Sequence, residues 1–296
     1  MKLRSPDHIS MVPTASRAGA FALLGAIAGT FLGTPASAQE WTSAQFSRQI
    51  SSEESAEVTI RYSAGRIALS AGSANQLYAL RLRYDANSQE PVHEFENGRL
   101  ELGVEGIGRT GFFRSGATDG EMELTLTNRI PLDLTLDLGA VRADLDLGGL
   151  RLTSLSIHTG ASDGDLRVSS PNSEEMESVE LKVGAASFRA RDLGNLNAAE
   201  ISLEGGVGDF RLDLNGLRRA ETRVDVKMGL GSLEIRIPRE AGVRLERESF
   251  LTSLNAPGLD RRDGVYLSSN WDQAAIRVDI SVNAALGSIS IVRFDP

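Results

Sequence analysis

The amino-acid sequence predicts an all-β protein whose fold is a β-solenoid of two-strand rungs, each about 22 residues long. Three observations predict this fold: short segments alternate aliphatic and polar residues, a glycine recurs at the same place in each segment, and the segments are almost evenly spaced. Alternation with a period of two is typical of a strand with one buried face. Even spacing indicates stacked repeats, because one such unit cannot bury its own apolar face.

The first 38 residues indicate an export signal that is not part of the fold. A basic start leads into an apolar run from Ala18 to Gly33, and the small residues that a signal peptidase needs follow at Ala36–Ala38. This run is shorter than the roughly 20 strongly apolar residues of a membrane-spanning helix. The sequence therefore predicts cleavage after Ala38, a periplasmic or extracellular location and no membrane span in the mature chain.

The composition excludes several classes of function. The chain has no cysteine, which excludes disulfides, thiol catalysis and thiolate metal sites. Its net charge is −9, and the leader holds three basic residues and one acidic residue, so the mature chain has a net charge of −11. A chain this acidic is not expected to bind nucleic acid.

The clearest repeats are predicted in residues 131–296. Five copies begin with a six-residue strand that ends in glycine: Leu134–Gly139, Leu155–Gly160, Val179–Gly184, Ile201–Gly206 and Val224–Gly229. A second short strand follows each glycine, and glycine is expected at this corner because it takes positive φ without steric cost. A degenerate sixth copy, Val278–Asn283, is predicted to form a C-terminal capping rung after a long loop from Leu254 to Asp272.

Residues 39–130 are predicted to form a less regular β region that is continuous with the solenoid. Val58–Ser63 followed by Arg66–Leu69 has the pattern of one more rung. At most a short helix is expected in Phe46–Glu57. Four further strands are predicted at Tyr78–Tyr84, Val92–Phe95, Arg99–Val104 and Glu121–Leu126.

A β-sandwich is the alternative fold. It also uses short alternating strands joined by turns. A sandwich, however, has no reason to keep a spacing near 22 residues with glycine in register, and this spacing favours the solenoid.

Glu57–Gly65, Pro131–Ala140 and the repeats that follow resemble the toast-rack envelope proteins, which are related to the C-terminal domain of LiaF-type cell-wall-stress proteins. The resemblance covers about residues 53 to 296. It implies a right-handed, β-helix-like fold and a non-catalytic envelope protein. LiaF-type proteins have N-terminal membrane helices where this chain has a signal peptide, so the resemblance does not extend to a LiaF-like signalling role.

Two glycine motifs match catalytic signatures but lack the structural context that those signatures need. Gly106–Gly111 has the G-x-G-x-x-G spacing of a dinucleotide site, yet a loop follows it where a helix should hold the pyrophosphate. Gly160–Gly164 has the G-x-S-x-G spacing of a nucleophile elbow, yet it is predicted to be a corner between two strands. Its Ser162 has only His158 nearby, without an orienting acid, so no catalytic residue is predicted.

Metal sites are not predicted either. The mature chain has two histidines and no cysteine, which excludes the common structural zinc sites. Asp163–Asp165 and Gly205–Asp209 are similar to calcium-binding β-roll repeats. In those repeats, however, the spacing is about nine residues and the aspartate comes one position later. No metal and no cofactor are therefore expected.

Stacking the rungs in register predicts two outward columns of charged side chains. The first-strand column, which is interpreted as structural, is Asp137, His158, Lys182, Glu204 and Lys227. The second-strand column is Asp146, Arg167, Arg189, Arg211 and Glu234. Neighbouring like charges are destabilising unless nearby acids or an anionic ligand neutralise them. Arg167, Arg189 and Arg211 are therefore the candidate ligand-binding residues.

These observations predict a non-catalytic, exported envelope protein with a binding or scaffold role. Its partner is expected to be an envelope protein or an anionic envelope polymer that the arginine column recognises. Two alternatives stay open. One is an adhesin-like structural protein that associates with itself through the solenoid ends. The other is a polysaccharide-acting enzyme, since some lyases use β-helices.

Overall fold

Long, bent strands dominate the computed structural model, which describes residues 40–107 and 120–295. The chain is all-β, as predicted, and its fifteen strands belong to one sheet. The strands are β1 (Trp41–Gln49), β2 (Ala56–Ala71), β3 (Gln76–Asp85), β4 (Gln89–Glu96), β5 (Arg99–Gly106), β6 (Glu121–Leu126), β7 (Pro131–Asp146), β8 (Arg151–Arg167), β9 (Met176–Arg191), β10 (Ala198–Asp213), β11 (Glu221–Pro238), β12 (Gly242–Asn255), β13 (Leu259–Arg262), β14 (Val265–Ser268) and β15 (Arg277–Phe294). One 3₁₀ turn, Leu193–Leu196, interrupts them. Within these residues, no helix is long and apolar enough to cross a membrane.

Eight of these strands lie side by side and parallel, in the order β2, β7, β8, β9, β10, β11, β15, β12. Only residues 147–150 join β7 to β8. Such a link spans at most about 17 Å, whereas β7, with 16 residues, would be about 53 Å long if it were straight. Each strand must therefore fold back on itself, so that its end returns close to its beginning.

The burial pattern shows where the strands fold. In β7 the buried residues are the even-numbered positions from Leu132 to Leu138 and then the odd-numbered positions from Val141 to Leu145. This change of phase turns both halves of the strand toward the same core. In β10 the ring of Phe210, after the bend, lies 2.7 Å from where a Cβ on Gly205, before the bend, would be. The core therefore lies between the first and second halves of the same strands, and each predicted pair of short strands is one continuous strand.

The repeat glycines are needed for a reason other than the predicted one. The prediction that they take positive φ is wrong: among the repeats, positive φ occurs instead two positions after the glycine in β10 and β11, at Gly208 and Gly231. A Cβ on Gly206 would lie 2.4 Å from the carbonyl oxygen of Gly184, and one on Gly229 would lie 2.6 Å from that of Gly206. Real Cβ atoms do not come this close to backbone. The repeat position is glycine because neighbouring bends stack backbone against backbone.

The repeat is interrupted and covered at the N-terminal end. β5 pairs with the first half of β2 and β6 pairs with its second half, so together they occupy the place of one long strand. β4 then pairs antiparallel with β5, while β3 and β1 follow β6 in antiparallel order. The strands predicted here are confirmed. The short helix considered for Phe46–Glu57 is wrong, because Phe46 lies in β1, which pairs with β3, and its ring packs against the core.

The C-terminal end also departs from the prediction. β15 lies between β11 and β12, so the predicted capping rung at Val278–Asn283 is wrong. β12 takes the outer position, and sequence analysis missed it because it lacks the repeat glycine. The predicted loop from Leu254 to Asp272 contains a hairpin, β13–β14, that pairs with β12 at Arg244 and Leu245.

Candidate functional site

An open groove of about 800 Å³ runs along the outer side of the bends. Its floor includes the bend glycines of β8, β9, β10 and β11. One wall is a column of outward side chains from the first halves: Asp137, His158, Lys182, Glu204, Lys227 and Asn283. The register confirms the predicted first-strand column and extends it onto β15. The two lysines of the described residues both lie in this wall.

His158 connects three neighbouring strands within this wall. Its Nδ1 lies 3.1 Å from Asp137 Oδ1, and its Nε2 lies 3.2 Å from Glu180 Oε2. Ser156 Oγ lies 3.1 Å from the same Nε2. The serine, histidine and aspartate thus have the mutual contacts of a nucleophile, a base and an orienting acid. Sequence analysis missed this set, because Asp137 and Ser156 come together only through the register of β7 and β8.

Glu180 is a further partner of both Ser156 and His158 in this cluster. The hydroxyl of Ser156 donates a hydrogen bond to Glu180 Oε2 at 3.2 Å. Hydrogen bonds from Lys182 and then from His158 lower the pKa of Glu180 to about 2, which keeps it ionised. The cluster is therefore a charge network that ties β7, β8 and β9 together.

The three candidate arginines lie in two columns of the second-half face, not in one. Arg211 is in register with Arg189, whereas Arg167 is in register with Arg191. The predicted single column is wrong by two residues, because an alternating pattern looks the same after a shift of two. Gly164 of β8 lies opposite Phe188 of β9, and a Cβ on this glycine would be 2.7 Å from the ring. The pairing of this glycine with a large aromatic side chain is the sequence signal that could have located the register of β8 with β9.

A block of four arginines nevertheless forms on β8, β9 and β10: Arg167, Arg189, Arg191 and Arg211. Three of them are ion-paired at 2.5 to 3.2 Å: Arg167 with Asp146, Arg191 with Asp165, and Arg211 with Glu234. Arg189 is exposed, and it has no ion pair within the described part of the chain. Arg189 is therefore the arginine of this block without an ion pair, although Asp165, which pairs with Arg191, is its register neighbour on β8.

Of the two glycine motifs, only Gly160–Gly164 lies wholly within the described residues. The strand β8 continues through Gly160–Gly164, so this motif is a bend between strand halves, as predicted. The hydroxyl of Ser162 is buried there without a hydrogen-bond partner. Most of Gly106–Gly111 lies outside the described residues.

A protein-family model, described as the N-terminal domain of toast_rack, DUF2154, matches residues 36–191 and again residues 178–236. Together the two matches cover more than half of the chain. The chain belongs to the toast-rack family. This membership confirms the resemblance inferred from the repeats. No curated protein sequence matches this toast-rack chain.

Several solved structures match this toast-rack chain at low sequence identity. A suspected cell adhesion protein from Clostridium sporogenes is 17% identical over 86% of this chain and 100% of its own, with a TM-score of 0.44. A suspected adhesin from Bacteroides fragilis is 9% identical over 86% of this chain and 98% of its own, with a TM-score of 0.31. A suspected lipid-binding protein from Parabacteroides distasonis is 10% identical over 85% and 96%, with a TM-score of 0.35. Similarity this distant carries no function across.

Proposed function

We propose that this toast-rack protein is an exported, non-catalytic envelope protein that binds an anionic envelope polymer on the outer face of its second strand halves. The observation that carries the proposal is the arginine block, with Arg189 unpaired beside Arg211 and Arg191. A guanidinium group binds phosphate or carboxylate through two parallel hydrogen bonds, and its charge does not depend on pH. An unpaired arginine among paired ones is a starting point for such binding.

The surroundings of the block favour a polymer over a small anion. Arg189 and Arg211 lie on adjacent strands, about 4.8 Å apart, and Arg167 and Arg191 form a second row beside them. A chain with regularly spaced charges can contact both rows. The paired arginines are exposed, and pairs of this kind contribute only about 0–1 kcal/mol, so exchanging a carboxylate partner for the ligand costs little.

The proposal includes the architecture and the location. The parallel register, together with strands that fold back on themselves, supports a β-solenoid as the frame that presents the block, and family membership supports its right-handed form. The apolar run and Ala36–Ala38 support export and cleavage after Ala38. Glu180, which accepts a hydrogen bond from the Ser156 hydroxyl in the His158 cluster, supports a role without catalysis.

The test is binding of the purified protein to isolated envelope fractions across a salt series. The variant Arg167→Gln/Arg189→Gln/Arg211→Gln is compared with a matched control, Arg66→Gln/Arg81→Gln/Arg99→Gln. The control arginines are exposed, and each has one glutamate partner at 2.9 to 3.4 Å. Both variants therefore lose the same charge.

The expected result is saturable binding that weakens with salt, persists in the control and is lost in the block variant. Arg189→Gln alone should account for most of the loss, because that arginine has no partner to give up. Equal loss in both triple variants would show that net charge alone attracts the polymer. Absence of binding by the unmodified protein would end the polymer proposal.

A further inference from the structure

An outward column without any polar side chain runs along the bends of the parallel strands. In spatial order its members are Ala64, Ala140, Ala161, Ala185, Val207, Leu230, Leu286 and Leu251. These eight residues are named the apolar column. The four large ones are 43% to 60% exposed. In a chain with 24% charged residues, a continuous exposed row of this kind indicates a contact surface.

Side-chain size in the apolar column changes in one direction. Alanine occupies β2, β7, β8 and β9, whereas valine or leucine occupies β10, β11, β15 and β12. If a second copy faces the first with its strand order reversed, every large residue meets an alanine. The facing pairs are Ala64 with Leu251, Ala140 with Leu286, Ala161 with Leu230, and Ala185 with Val207. Large side chains against small ones interdigitate without voids, whereas the parallel arrangement would set leucine against leucine and leave gaps between alanines.

The charges on the first-half side of the apolar column agree with this reversed arrangement. A two-fold axis that reverses the strand order brings the first halves of both copies to the same side. The residues on that flank, in spatial order, are Arg61, Asp137, His158, Lys182, Glu204, Lys227, Asn283 and Glu248. Reversal sets Arg61 against Glu248 and Lys182 against Glu204, each twice by symmetry. The remaining pairs are Asp137 with Asn283 and His158 with Lys227, so no two carboxylates meet.

The flank on the second-half side is also compatible. Its residues, in the same order, are Arg66, Arg142, Asp163, Ser187, Asp209, Ser232, Ser288 and Ser253. Under reversal each of its charged residues faces a serine of the other copy. Neither flank therefore opposes the contact through carboxylate repulsion, and the first-half flank adds four opposite-charge pairs.

We propose that this chain forms a closed, two-fold dimer in which the apolar columns of two copies pack antiparallel. We choose a second copy as the occupant because, when the strand order is reversed, the large side chains of one copy face alanines of the other. The charged side chains of the first-half flank then also face partners of opposite charge at four places. An anionic lipid surface fits less well, since the chain carries a net charge of −9. Seven strand spacings make the column about 34 Å long, but it is narrow. The contact falls below the roughly 800 Å² per partner of a standard interface, so the dimer should be weak and concentration-dependent.

The absence of cysteine allows a direct test of which positions meet. The variants Ala161→Cys and Leu230→Cys are purified separately, then mixed at high concentration and oxidised gently. The proposal expects a disulfide-linked dimer in the mixture and little in either variant alone, because each position faces the other. Ser70→Cys, an exposed position on the second-half face, serves as the control that stays monomeric. Linkage of Ala161→Cys with itself would indicate the parallel arrangement and overturn the proposal.

A charge reversal gives an independent readout. Arg61 and Glu248 lie at opposite ends of the stack, about 34 Å apart in one copy, so they can meet only between copies. In sedimentation velocity over a concentration series, Arg61→Glu should weaken dimerisation about tenfold. Addition of Glu248→Arg to the same chain should restore it, and Leu230→Asp/Leu286→Asp should abolish it while thermal unfolding stays cooperative. A monomer at every concentration, or assembly that continues beyond two copies as end-to-end stacking would, overturns the proposal.

Discussion

The middle of the sheet and its N-terminal end stack strands in different ways. From β7 to β11 each strand covers the next in parallel register, and glycine at each bend lets the backbones approach. At the N-terminal end two short strands replace one long strand, and antiparallel strands lie outside them. This difference shows that identical repeats can add strands to the sheet but cannot cover its edge, because the last repeat strand always leaves unpaired backbone groups. A different arrangement of strands is needed at the end.

Aromatic contacts strengthen the non-repetitive end. Phe46 of β1 stacks on His93 of β4 with ring centroids 3.9 Å apart, and the guanidinium of Arg48 lies 4.3 Å from the ring of Phe95. These contacts join the strand that covers the second halves to the strand that covers the first halves. The end is therefore closed by a few specific side chains, whereas the middle is held by many equivalent ones.

The largest expected difference between the two regions concerns their aromatic rings. Phe210 in β10 is 2% exposed, and its truncation to alanine should lower the free energy of unfolding by about 4 kcal/mol. Phe46 is only partly buried, so Phe46→Ala should cost about 1–2 kcal/mol. Urea denaturation of both variants measures this difference. Equal losses would show that the end is as tightly packed as the middle.

A second comparison uses two glycines with positive φ. Gly231 in the middle has φ 141°, and a Cβ there would lie 1.8 Å from the carbonyl oxygen of Gly208. Gly98, in the turn between β4 and β5, has φ 81° and open space around its Cβ position. Gly231→Ala should cost about 3 kcal/mol, because strain adds to a backbone clash, whereas Gly98→Ala should cost only about 1 kcal/mol of strain. Chemical denaturation measures the free energy of unfolding of both variants. A larger loss of stability for Gly98→Ala than for Gly231→Ala would contradict the stacking argument.

The turns of the middle region offer a third, smaller effect. Asn172 is 3% exposed, and its side-chain amide donates to the carbonyl oxygens of Leu152 and Leu196 at 2.8 and 3.1 Å. Asn172→Ala leaves these buried groups without partners and should cost about 2 kcal/mol. Hydrogen exchange should show faster opening around residues 168–175 and unchanged protection in β1 and β3. Equally faster exchange around residues 168–175 and in β1 and β3 would mean that the middle and the N-terminal end unfold as one unit.

The smallest effect is a pH dependence in the charge network of the middle. Hydrogen bonds from Lys182 and His158 lower the pKa of Glu180 from 4.5 to about 2. A lowered folded-state pKa adds stability that is present above pH 4.5 and lost as pH falls toward 2. Because Glu180 is 41% exposed and screened by water, Glu180→Gln should cost less than about 1 kcal/mol at pH 7. Denaturation at pH 7 and pH 2 should show this difference become smaller in acid, where Glu180 is about half protonated, and a difference of the same size at both pH values would exclude the charge as its cause.

The same comparison explains what sequence patterns could predict. The strands of the middle region share one sequence pattern at a nearly constant spacing. Their order and most of their register can therefore be predicted from that spacing. Arg167 was misplaced because aliphatic alternation is unchanged by a shift of two residues. β12 was missed because it lacks the repeat glycine, and the place of β15 was wrong because spatial order need not follow chain order.

Of the candidate site, the charged wall of the groove was predictable, since its members recur at the repeat spacing. The contacts of His158 with Asp137 and Glu180 were not, because they depend on side-chain directions across three strands. The unpaired state of Arg189 likewise depends on which acid each neighbouring arginine reaches.

The position of β15 has a consequence for the order in which the chain can assemble. β11 and β12 are joined by residues 239–241, yet β15 lies between them. The stack therefore cannot be completed until synthesis has passed residue 294, since that strand must pair with both neighbours. Contacts over such long sequence separations form slowly. The late arrival of β15 leaves β11 and β12 without their shared neighbour until the end of synthesis.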